Sequence, residues 1–228
     1  MNTKLTTLLQ LADPALPIGG FNHSGGLETF VQQGVVDNAG RLKEYVAVQL
    51  EQNWAYNDGA YVSLAYDAAQ AGDFERLAEI DRHAVAAKAP REIREASLKL
   101  GVRLLKIFAR RETAAIVQRF QTGMAHQEAH GCYPVTFGLI AAVLQQNKAD
   151  ALAAFYYNAA AGAVTNGVKL IPLSQMDGQD ILFDLHEAIA RAVAASLNPD
   201  PEWLGAACAA ADIRAMQHER LYTRLYMS

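Results

Sequence analysis

Arg91-Glu-Ile-Arg-Glu-Ala-Ser-Leu-Lys-Leu-Gly-Val-Arg-Leu-Leu-Lys-Ile-Phe-Ala-Arg-Arg111 is the stretch on which the fold class turns. Ile93, Leu98, Val102, Leu105 and Phe108 recur at helical steps, and seven basic residues lie mostly opposite them. Pro90 stands just ahead, where a missing N–H costs a helix little. The pattern predicts one amphipathic helix, and the same period continues outward in both directions.

Toward the N-terminus, Asp73 caps a segment running to about Ala87, and Tyr61, Leu64, Ala65 and Ala68 carry a helical stripe to Gly72. Asn57-Asp58-Gly59 predicts a bend between that stripe and an earlier one of Leu42, Tyr45, Val46, Leu50 and Trp54. Leu27 to Gln33 reads as a helix ended by Gly34, and Thr3 to Leu11 as a first helix with Leu5, Leu8 and Leu9 on one face. Toward the C-terminus, helices are predicted from Thr113 to Gly131, Pro134 to Leu144, Lys148 to Val168 and Asp180 to Leu197. The last helix or tail runs from Ala206 to about Leu225. No alternating β-branched run competes with this reading, so the expected fold is all-α, a single-domain bundle of about ten helices. The domain spans residues 1–228, with 206–228 as a C-terminal helix or tail suited to binding a partner.

Composition supports helices and narrows the function. Hydrophobic residues make up 51% of the 228, much of it alanine as in Ala159-Ala160-Ala161, which loses no side-chain entropy in a helix. A net charge of -4 without blocks of one sign speaks against nucleic-acid binding. No apolar run is long enough for a membrane span and no signal-peptide order opens the chain, so a cytoplasmic protein is expected. Cys132 and Cys208 are too few and too far apart for a disulfide framework.

Four arrangements invite chemistry. His126-Gln-Glu-Ala-His130 would put two imidazoles on one helix face with Cys132 just beyond, the basis for an alternative reading as a stand-alone metal-binding protein. A zinc-protease motif would need Glu directly after the first His, and Glu128 sits one place late. Gly162 and Gly167 have P-loop spacing, but Val168 occupies the lysine position and Lys169 follows it. His23 and Ser24, with Glu28 a turn on, lack an oxyanion hole and read better as a helix entry, Ser24 capping and Glu28 in the first turn. None of these makes an enzyme, and no cofactor is expected. The C-terminal segment gathers Arg214, Arg220, Arg224, Tyr222 and Tyr226, residue types enriched at interface hot spots.

Pro17-Ile-Gly-Gly-Phe-Asn-His-Ser-Gly-Gly-Leu-Glu28 resembles the N-terminal signature of the urease accessory protein F family (UreF). Arg91-Glu-Ile-Arg-Glu95, Gly167-Val-Lys-Leu-Ile-Pro-Leu-Ser-Gln175 and His218-Glu-Arg-Leu-Tyr-Thr-Arg-Leu225 are similar to three further family blocks, in the family's order. Thr223 stands where the pattern expects serine, and Met227 at a position often basic. The resemblance implies an all-α homodimer without catalytic activity or cofactor. It implies a chaperone for nickel insertion into apo-urease, bridging the scaffold protein UreD (also called UreH) and the GTPase UreG. Arg214, His218, Glu219, Arg220, Tyr222 and Arg224 would contact the scaffold. Lys169 would lie near the GTPase or the metal route, and His23, Ser24 and Glu28 would offer a second contact surface.

Overall fold

The computed structural model describes residues 3–227, and among them it contains twelve α-helices and no strand. They are α1 (Thr3–Leu11), α2 (Leu27–Gln32), α3 (Ala39–Val48), α4 (Asp58–Gln70), α5 (Phe74–Ala87) and α6 (Arg91–Phe108) in the first half. The second half holds α7 (Ala115–Ala125), α8 (Tyr133–Val143), α9 (Lys148–Leu170), α10 (Gln175–Asp184), α11 (His186–Leu197) and α12 (Ala209–His218). A short 3-10 turn covers Gly20–Asn22, and α3 runs straight into a π-helical segment over Gln49–Trp54.

The bundle is organised around α8. Every residue from Pro134 to Ala142 is buried, as expected of a helix that is apolar on all sides. It packs against α4, whose buried face is made largely of small residues: Gly59, Ala60, Ser63, Ala65, Ala68 and Ala69. The axes come close because Gly138 lies on the α4 backbone, where a Cβ would collide with the carbonyl oxygen of Val62. On the α9 side of α8, Phe137 meets Phe155 edge-on at 5.1 Å, and Tyr156 follows at 5.8 Å from Phe155. One hydrophobic cluster runs from Leu8 of α1 to Ala192 of α11.

Several helix ends follow from the sequence. Asn38, Asp73 and Asn147 accept hydrogen bonds from backbone N–H groups of the first turns of α3, α5 and α9. Ser174 and Asp177 close a reciprocal capping box at α10, after Pro172 has ended α9.

Other predicted features are corrected. The Asp180 to Leu197 pattern is two helices, because the chain breaks at Leu185 and the first begins earlier, at the Ser174 cap. The Thr113 to Gly131 helix spans only Ala115–Ala125, since Gln127 takes a positive φ of 62° and turns the chain. The terminal helix is α12 alone, and residues 219–227 proceed in turns and bends. On α6 the buried face is Ala96, Ser97, Gly101, Leu104, Leu105 and Phe108, while Val102 faces outward. Small residues won that face because Gly101 meets the backbone of Gly131–Tyr133, where a larger side chain would not fit. On α1, Leu8 and Leu11 turn inward, and Leu5 and Leu9 are exposed.

Candidate functional site

Three distant segments meet at one corner, each carrying a predicted site residue or its neighbour. Glu28 lies in the first turn of α2, Glu92 in the first turn of α6, and His218 in the last turn of α12. His218 is completely buried. Its Nε2 is 3.1 Å from Glu28 Oε2, and its Nδ1 is 2.8 Å from Glu92 Oε2. The backbone N–H groups of Leu225 and Tyr226 donate to Glu28 Oε1 and Oε2 at 2.7 and 3.1 Å. Arg224 donates to Glu92 Oε1 at 2.8 Å. Nearby, Arg91 and Glu219 pair at 2.7 Å, which holds the Glu219 carboxyl below its usual range.

Helix electrostatics favour this assembly: acids sit at two positive helix ends, and a base sits at a negative one. The backbone completes the joint. Gly26 adopts the left-handed conformation (φ 89°) at the start of α2 and lies against Ala215 of α12, leaving little room for a side chain. Met227 N–H reaches the carbonyl of Asn22 at 2.8 Å. The Pro17 to Glu28 segment and the C-terminal tail are therefore two halves of one structure. Gly26, and not Ser24, occupies the cap position of α2, while Ser24 Oγ accepts from the Glu28 N–H at 3.5 Å.

The predicted site residues divide by exposure. Glu28, Ser24 and His218 are buried and Glu219 is half-buried, whereas Arg220, Tyr222 and Arg224 face solvent. Arg214 is half-buried, with its guanidinium 4.5 Å above the ring of Phe30. Tyr222 projects fully, and Ile213, Met216, Leu225 and Met227 add exposed apolar surface around it.

Lys169 stands apart from this corner. It lines a cleft of about 290 Å³ together with Phe21, His23, Ser24 and Asn166. Asn166 of α9 donates to the His23 carbonyl at 2.8 Å, and Arg103 of α6 donates to the Ile18 carbonyl at 2.8 Å, which pins the N-terminal loop as a cleft wall. Burial, with Lys99 and Arg103 adding to it, holds the His23 imidazole below its usual pKa. A second chamber of about 140 Å³ lies beyond Ser24 and Gly25, lined by Asn53, Asn57 and Asp212 and by a buried Lys88–Asp58 pair at 2.7 Å. Burial works against the Lys88 ammonium, but Asp58, with Cys132 and Asp212 adding to it, tips the balance and the pKa is raised. Burial also lifts the Asp212 carboxyl.

The residues of the alternative metal reading are not brought together as predicted. His126 is the C-cap of α7 and His130 lies in the following loop, so they share no helix face. The backbone N–H groups of His130, Gly131 and Cys132 all point at the buried Asp81 carboxylate. Cys132 is fully buried against Ser97 Oγ at 3.2 Å, and burial pushes its thiol up to about 11. Among the described residues no group of three or more His, Cys, Asp or Glu is gathered to hold a metal ion. No described helix is long and apolar enough to cross a membrane.

Reading the sequence alone missed Glu92, Asn166 and the Lys88–Asp58 pair. An acid in a helix's first turn ordinarily signals only dipole complementation, so nothing beyond its place in the Arg91–Glu95 block marked Glu92. Asn166 and Lys88 act through neighbours far away in sequence, and no spacing rule connects them.

Comparison with known proteins places these features in context. A family model described as UreF matches residues 36–186, more than half of the chain. A protein of Haemophilus influenzae (strain PittEE) named urease accessory protein UreF is 62% identical over 226 residues, covering 99% of this chain and 96% of its own. Its namesake in Actinobacillus pleuropneumoniae serotype 5b (strain L20) is 60% identical, covering 99% of each. A more distant one in Kocuria rhizophila is 34% identical over 98% of this chain and 97% of its own.

Proposed function

The chain belongs to the UreF family, and on that premise we propose that it is a non-catalytic accessory protein of urease maturation. In this reading it is a cytoplasmic, single-domain homodimer required for nickel insertion into apo-urease. It bridges the scaffold protein UreD (UreH) and the GTPase UreG and regulates GTP-dependent delivery. The observation that carries the reading is 62% identity across 99% of the chain to a protein named urease accessory protein UreF.

Two surfaces divide the work. The scaffold meets the C-terminal corner, where Arg220, Tyr222 and Arg224 are exposed with apolar neighbours, the mixture that anchors interfaces. His218, Glu219 and Glu28 serve that contact indirectly, by fixing the tail beneath it. The GTPase meets the cleft bearing Lys169 and His23, an exposed cation beside a pinned loop. Bridging needs no nucleophile or resident metal. It needs contacts that differ between the two states of the GTPase.

Truncation after Ile213 tests the first surface. The shortened protein is expected to keep its helical circular dichroism and to lose co-purification with the scaffold protein. Undiminished co-purification would show that the tail assignment is wrong.

A further inference from the structure

The donor count at the buried corner carries a consequence beyond partner binding. Glu28 accepts from Leu225 N–H, Tyr226 N–H and His218, while Glu92 accepts from Arg224 and His218. An ionised carboxylate can only accept, and a neutral imidazole donates through one nitrogen only. Here both ring nitrogens of a fully buried histidine face carboxylate oxygens.

We propose that His218 docks as a doubly protonated imidazolium, making the C-terminal segment from His218 to Met227 a proton-dependent latch on the body of the protein. Both nitrogens then donate, and the charge of the two carboxylates is balanced by His218 and Arg224 together. The charged groups around the ring are Glu28 from α2, Glu92 and Arg91 from α6, and Glu219 and Arg224 from the tail's own side. The end of α12 adds its negative dipole, which also favours a cation there.

Removing the proton turns one nitrogen lone pair against a carboxylate in a site shut off from water. The docked tail then binds one proton more than the detached tail, whose exposed imidazole is neutral above about pH 6.5. Linkage fixes the sign: with Glu28 and Glu92 ionised, the His218 contribution to docking is complete below that pH and is lost as pH rises beyond it. What the released tail does to scaffold binding rests on the functional reading above; the latch itself does not.

Two measurements on the isolated full-length chain test the latch. In the first, 15N spectra of the histidine rings at pH 7 should show both His218 nitrogens protonated, with the signals assigned by their loss in His218→Gln. In the second, hydrogen exchange is followed from pH 6.5 to 9 and corrected for intrinsic rates. Protection of the Leu225 and Tyr226 amides should fall by about ten- to a hundredfold, the equivalent of one buried polar group left unmatched. Amides of α8 serve as the internal control and should hold steady. In His218→Gln the two tail amides should exchange fast at every pH. A neutral ring at pH 7, or tail protection that does not change with pH in the parent chain, would overturn the proposal. Because the ring measurement uses the parent chain, a poorly folding variant does not spare the idea. Loss of scaffold binding without either signature would count against the latch and leave the functional reading standing.

Discussion

Where α4 crosses α8, contact is made by Gly138, Ala65 and the backbone at Val62, and no ion pair enters. Where α2, α6 and α12 meet, Glu28, Glu92, His218 and Arg224 make the contact, with Ala215 against Gly26 and Arg214 over Phe30 adding close packing. The first joint tolerates no added atom, because its fit depends on backbones approaching closely. The second tolerates no lost atom, because each removed partner leaves another polar group buried and unmatched. Burial alone would rank Gly138 and His218 alike. Only the kind of contact separates them, and it predicts different failures.

Gly138→Val should break the first joint with the largest effect, destabilising the whole protein by about 3 kcal/mol through overpacking against the α4 backbone. Urea unfolding followed by circular dichroism would show it as a lower midpoint with an unchanged slope. Glu28→Ala acts at the second joint. It should cost about 2 kcal/mol of tail docking, seen as rapid exchange of the Leu225 and Tyr226 amides while α8 keeps its protection. If Glu28→Ala instead lowers the urea midpoint as Gly138→Val does, the corner and the core are one cooperative unit and the distinction fails. Asp73→Ala tests a position belonging to neither joint: loss of the α5 cap should cost about 1 kcal/mol, or a shift of roughly 3 °C in melting temperature. A larger drop would mean that α5 is coupled to the core more tightly than its cap implies.

The two joints also differ in how far the sequence announces them. The unbroken apolar run of α8 and the caps at Asn38, Asp73 and Asn147 are local patterns, and the predicted helices there hold. Periodicity faltered where size outranked hydrophobicity: on α6 Leu105 and Phe108 turn inward as expected, but Ala96, Ser97 and Gly101 complete that face and Val102 points outward. Strand-free architecture was legible, but the break at Leu185 and the early end of α7 depended on single-residue geometry. At the corner, Glu28 and His218 are separated by 190 positions, and each alone reads as an ordinary helix-end charge. Family resemblance marked the segments that hold them without revealing that they touch. It also presented His218 as a contact residue, whereas the structure makes it internal. The exposed candidates Lys169, Arg220 and Tyr222 owe their place in the functional reading to resemblance and to surface chemistry.

The span between Glu28 and the tail amides has a further meaning in time. Helix α4 meets α5 across a short turn of the chain, but the contacts of Glu28 at the corner close loops of 190 to 198 residues. Contacts of such long range contribute only after the intervening chain has been ordered, because loop closure must come first. The corner is thus expected to form late and to open early, which pulse-labelled exchange of the Leu225 and Tyr226 amides during refolding would check against those of α8.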